Sequence, residues 1–204
     1  PFSQRFIHRL GVEGRAGYIF QTNPFLEYSN HQYKAMKNAY AGHLKYSFQL
    51  RPHTVADQAY IGAYQGIGVG YFNFGNPEEL GNPLAVYLFQ GGRIAQFSPR
   101  ISLNYEWNFG ASFGWKPYDE YDNPENQIIG SKVNAYLNVN LYLKWALSPK
   151  FDLMIGATGS HFSNGNTQYP NSGLNTVDCK VGLVYNFNRR ADELAQSWQR
   201  PIVP

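Results

Sequence analysis

The chain has 204 residues and a net charge of +3, enough for one domain or a single barrel. Only 15% of its residues are charged and 17% are aromatic, the reverse of what a disordered chain needs. Its longest apolar run, Leu84 to Phe89, is six residues where a spanning helix needs about 20, and the small, scattered charge makes no case for a nucleic-acid partner.

Strict alternation of apolar and polar residues dominates, which is the period of a β-strand. It predicts eight strands, at 11–22, 38–51, 64–74, 84–95, 101–116, 131–147, 151–164 and 174–187. Turn-forming clusters such as Thr22-Asn23-Pro24, Gly75-Asn76-Pro77 and Asp122-Asn123-Pro124 separate them. The first strand sets Val12, Ala16, Tyr18 and Phe20 against Glu13, Arg15 and Gln21. The second sets Leu44, Tyr46, Phe48 and Leu50 against His43, Lys45 and Arg51. The third and fourth alternate less cleanly. The fifth carries Ile101, Leu103, Tyr105, Trp107, Phe109 and Phe113 on one side, the sixth Val133, Leu137, Val139, Leu141 and Leu143. In the clean strands every charge lies on the polar side, Lys116, Lys132, Lys144, Asp152, Asp178 and Lys180 included.

Apolar faces this long exceed the usual globular strand of about 5–6 residues and match a membrane-crossing strand of about 9–11. The expected fold class is therefore all-β: an eight-stranded antiparallel up-and-down transmembrane barrel, closed because lipid offers no partner to a free strand edge. The rival is a soluble barrel carrying an apolar ligand. Against it stand polar faces rich in Asn, Ser and Gly rather than Lys and Glu, and aromatics near the ends of the apolar faces. The barrel is expected to span 1–188, with 189–204 as a polar periplasmic tail. With both termini periplasmic, the loops 23–37, 75–83, 117–130 and 165–173 are external. The chain opens at Pro1 with no apolar leader, which reads as a processed or trimmed mature chain in which an export signal is not visible.

The seventh strand ends in His161-Phe-Ser163-Asn164. Residues two apart on a strand share a face, so His161 and Ser163 continue the apolar, lipid-facing stripe. A histidine beside a serine hydroxyl is the minimum for an activated oxygen nucleophile. The bland alternative is a pair of interfacial polar residues at a barrel rim.

The run from His161-Phe-Ser163-Asn164-Gly165 through Pro170-Asn171-Ser-Gly173 to Asn175 resembles the signature of the outer-membrane lipid A 3-O-deacylases of the PagL type. That signature is His-x-Ser-Asn, a loop with Pro-Asn-x-Gly, then x-Glu. The motif covers about 15 residues. The resemblance implies an eight-stranded barrel in the bacterial outer membrane with its site on the lipid-facing wall. It implies that Ser163 is the nucleophile and His161 the general base and then acid. Asn164 and a neighbouring backbone N–H, that of Gly165, would hold the oxyanion. Lipid A or lipopolysaccharide would be the substrate, with no metal or cofactor needed.

One position departs from the signature. Where the family has glutamate, this chain has Asn175. Asp178 is near in sequence but falls on the interior side by parity. An amide can orient an imidazole but supplies no negative charge. A non-catalytic small barrel with a residual Ser-His pair therefore stands as the alternative.

The remaining features read plainly. His43 is expected in a polar interior network. The acidic loop Asp119, Glu120, Asp122 and Glu125 reads as solvated, because its spacing is irregular for a cation site. Cys179, the lone cysteine, allows no intrachain disulfide and packs against lipid as a small apolar group. Gly66, Gly68 and Gly70 answer to tight packing inside a narrow barrel rather than to a nucleotide loop, since no helix follows.

Overall fold

The computed structural model describes residues 5–52 and 54–196. Eight strands follow one another around a closed barrel: β1 (Phe6–Ile19), β2 (Asn38–Leu50), β3 (Tyr64–Asn73), β4 (Gly81–Gln96), β5 (Ile101–Trp115), β6 (Val133–Ala146), β7 (Phe151–Ser163) and β8 (Leu174–Asn186). All pairs are antiparallel, and β8 pairs with β1 to close the sheet. Among the described residues three short helices lie outside the strands: α1 (Pro24–Glu27), α2 (Val55–Tyr60) and α3 (Ala191–Gln196).

Register fixes the shape. Arg9 pairs with Ser47, and the row continues through Gly66, Phe89, Asn108, Asn138, Ser160 and Thr176, returning to β1 at Ile19. One circuit thus climbs ten residues, so the strands tilt strongly, by roughly 35–45° as closed barrels do.

Parity decides the faces. Val12, Leu44, Val69, Val86, Phe109, Val139, Ile155 and Val181 point outward and are exposed. Glu13, His43, Lys45, Glu106, Asp152, Asp178 and Lys180 point inward and are buried. An apolar wall around a buried charged interior excludes the soluble barrel, which needs the opposite sidedness.

Most strands lie where alternation puts them, with corrections at three places. β1 begins at Phe6, five residues before the expected start, because Phe6–Leu10 pair with Tyr46–Leu50. β4 is longer than expected and carries register shifts between Gly81 and Leu84 and between Arg93 and Ala95. An irregular step breaks the two-residue period, which is why alternation blurs there. Lys116 and Lys132 lie past the strand ends and are exposed, rather than lining the interior.

The interior is layered. At the end bearing the loops 164–173 and 116–132, inward rings make an aromatic plug centred on Phe162. Its centroid lies 5.1 Å from Phe72, 5.7 Å from Phe74, 5.2 Å from Trp115 and 5.2 Å from Tyr136. In the middle, Glu13 accepts from Arg15 at 2.7 Å and from Lys180 at 3.2 Å, and Lys45 joins Glu13 to Glu106. Buried charges persist only when paired like this. At the other end Arg189 forks onto Asp152, at 2.9 and 2.7 Å, and Arg51 bonds Glu193 of α3 at 2.6 Å. The tail expected over 189–204 is thus tied to the barrel through Arg189 and Glu193, and its residues 197–204 lie outside the described ones.

His43 sits in this interior, 2.7 Å from the Tyr87 hydroxyl. The β3 glycines make room for rings: a Cβ on Gly68 would lie 2.4 Å from the Tyr87 ring, and one on Gly70 2.5 Å from the His43 ring. Cys179 is exposed on the outer wall.

Candidate active site

The site is built from one cross-strand pair and one neighbour. His161 on β7 stands directly opposite Asn175 on β8, and directly opposed residues bring their Cβ atoms to about 4.5–5.5 Å. Ser163 lies two residues along β7, on the same face. Between them Phe162 turns inward into the aromatic plug. The buried ring pins the strand from behind while its two neighbours face outward.

The three side chains form a chain of hydrogen bonds. His161 Nδ1 lies 2.6 Å from Asn175 Oδ1, and His161 Nε2 lies 3.0 Å from Ser163 Oγ. An amide oxygen only accepts, so Nδ1 carries the ring proton. Nε2 is then the bare nitrogen, facing the serine O–H. This is the tautomer a serine nucleophile requires. All three residues are half-buried, at the point where the outer wall meets the loops. Leu137 on β6 pairs with His161, and Phe20 donates its N–H to Asn175 O at 3.0 Å. Both side chains are exposed, so apolar surface flanks the His161–Asn175 pair.

Asp178 does not enter. It pairs with Thr158 across β7–β8 and accepts from Thr176 inside the barrel at 2.8 Å, as parity requires.

The β7–β8 loop, 164–173, supplies the rest. Asn164 Nδ2 donates to Gln168 O at 2.7 Å, and the Asn164 N–H donates to Asn171 Oδ1 at 3.0 Å. The Asn164 side chain is therefore folded into its own loop, and the expected oxyanion donor has one bond already made. Gly165 is left-handed, φ +65°, with open space where a Cβ would stand. Two residues given no role by sequence reasoning matter here. Asn171 orients Asn164, and Gly173, φ +74° and buried, floors the site. A Cβ on Gly173 would lie 3.1 Å from His161 Cε1 and 3.7 Å from Ser163 Cβ. The signal for both was their place in the Pro170-Asn171-Ser-Gly173 run.

In the outward loops, the Asp119 carboxylate accepts the N–H groups of Asp122 and Tyr121. Those bonds hold its pKa below the usual value. Both bonds fall on Oδ1, so the carboxylate closes a turn.

The family model described as lipid A 3-O-deacylase (PagL) matches residues 9–184. Among solved structures, that of the outer membrane enzyme PagL aligns with a TM-score of 0.53 at 13% identity, covering 84% of this chain and 97% of that one. Neisserial surface protein A aligns with a TM-score of 0.51 at 10% identity, covering 91% and 98%. At those identities the likeness is one of fold. No curated protein matches the chain.

Proposed function

The chain belongs to the PagL family of lipid A 3-O-deacylases, in the bacterial outer membrane, and from that membership we propose that it hydrolyses an ester-linked acyl chain of lipid A through Ser163 and His161. The observation that carries the reading is the position of His161, bonded at once to an acceptor at Nδ1 and to a serine hydroxyl at Nε2.

The steps follow from those bonds. Ser163 Oγ gives its proton to His161 Nε2 and attacks the ester carbonyl carbon. The oxyanion is met by the second Asn164 amide hydrogen and the Gly165 N–H. His161 returns the proton to the departing sugar oxygen, leaving the acyl chain on Ser163. Water then repeats the sequence, releasing a fatty acid and the free serine. The exposed wall of Leu137 and Val139 below the site accepts the acyl chain without its leaving lipid, with the loop end of the barrel outward.

Asn175 orients His161 in the correct tautomer but leaves the imidazolium of each step without a counter-charge. Losing the carboxylate in a serine protease costs about 10⁴-fold, chiefly through the wrong tautomer. Here the amide oxygen faces the ring, so only the charge contribution is lost. The missing charge is also what favours the second reading, a small structural barrel with a spent Ser-His pair. Purified protein refolded in detergent and given lipid A decides between them. Release of free fatty acid, absent in Ser163→Ala, supports the hydrolase; equal, background-level release from both leaves the structural barrel.

A further inference from the structure

A second loop, between β5 and β6, crosses the barrel mouth and grips the β7–β8 loop at three points. Gly173 donates its N–H to Ile128 O at 3.2 Å, and Ser172 to Gln127 O at 3.3 Å. Gly130 lies against the same loop: a Cβ there would stand 2.5 Å from Pro170 O and 2.8 Å from Gln168 O. Those are backbone atoms and cannot swing aside as a side chain does.

The grip is itself anchored. Asn126 is fully buried and uses both ends of its amide. Its Oδ1 accepts the N–H groups of Ile128 at 3.0 Å and Ile129 at 3.1 Å. Its Nδ2 donates to Glu79 O at 3.0 Å and Lys116 O at 2.9 Å. Glu79 in turn is buried in the β3–β4 loop, where its Oε1 accepts from His31 N–H and Asn76 Nδ2. Ile128 and Ile129 are fully buried. The segment is fixed from the far side of the barrel.

We infer that residues 126–130 form a clamp that positions the hydrolase site. Asn126 sets the carbonyl of Ile128, Ile128 holds Gly173, and Gly173 walls the face of His161. The inference rests on the proposed roles of His161 and Ser163. Its physical ground is the demand on the imidazole, which must keep two bonds aligned at once. A misplacement of about 1 Å costs roughly 10²-fold in rate. A connecting loop is ordinarily the least stable part of a fold, and this one carries the floor of the site. Asn126 and Gly130 are positioning residues: they act through Gly173, not on the substrate.

The test uses Gly130→Ala and Asn126→Ala, with Glu125→Ala, an exposed change on the same loop, for comparison. Each protein is refolded in detergent micelles, and folding of the barrel is judged by heat-modifiable gel mobility. Two readouts are taken: fatty-acid release from lipid A resolved into kcat and KM, and the ¹⁵N shifts of the His161 imidazole. The expected result is a fall in kcat of about 10- to 100-fold with KM within about twofold. The imidazole nitrogens should also move from a single-tautomer pattern toward averaged values. Glu125→Ala should change neither readout. Folded variants with wild-type kcat and wild-type imidazole shifts overturn the clamp, and so does a rise in KM alone, which assigns the loop to substrate binding. If the wild type releases no fatty acid, the hydrolase reading fails, and the imidazole shifts alone decide the clamp. If Gly130→Ala does not fold, Asn126→Ala carries the test.

Discussion

His161 and Asn175 face each other across β7 and β8, with Nδ1 2.6 Å from Oδ1. The register of the sheet makes this contact, since the two residues are a direct cross-strand pair. The amide does one of the two jobs a carboxylate does there: it fixes the tautomer and supplies no charge.

Asn175→Ala and Asn175→Glu separate those jobs. Removing the acceptor in Asn175→Ala frees the ring, and kcat/KM for fatty-acid release should fall by about 10²–10⁴-fold, within the loss seen when a triad loses its orienting group. Asn175→Glu keeps an acceptor and adds the charge, so kcat/KM should hold or rise. Total loss in the glutamate variant contradicts the placement of residue 175 beside the imidazole.

Gly173→Ala tests the floor of the site. The residue combines a left-handed backbone, φ +74°, with a tight approach to His161 Cε1 and Phe162 O, both 3.1 Å from where a Cβ would stand. An alanine there is strained by about 1 kcal/mol or more and presses on the imidazole. The barrel should still fold, with a lower rate of Ser163 labelling by a fluorophosphonate. Labelling at the wild-type rate removes Gly173 from the account.

Parity made the sidedness of the site legible in the sequence. A strand has two faces, so His161, Ser163 and Asn175 could be put outward, and Asp178 inward, by counting alone. The aromatic plug was less visible, because Tyr136 and Phe162 fall on the polar side of their strands, among Asn and Ser. The irregular step near Arg93 hid the course of β4. The clamp left almost no trace. It works through the carbonyls of Gln127 and Ile128, which every residue type possesses, and through loop contacts that have no period.

Glu13→Gln addresses what holds the wall in place. Glu13 is the shared partner of Arg15, Lys45 and Lys180, all buried. Neutralising it leaves three cations facing one another, with Lys45 keeping its direct ion pair to Glu106. Removing one member of a buried ion pair costs about 3–5 kcal/mol. The denaturant midpoint of the refolded barrel should drop accordingly, while the folded fraction releases fatty acid at the wild-type rate. An unchanged midpoint argues that the interior charges are hydrated rather than paired.

If Ser163 is the nucleophile of a lipid A deacylase, mass spectrometry of lipid A from cells making either the wild type or Ser163→Ala reads the product of that serine. The expected outcome is a lipid A species lighter by one ester-linked acyl chain in cells with the wild type and its absence in cells with the variant. Identical spectra from the two, with both barrels folded in the outer membrane, contradict it.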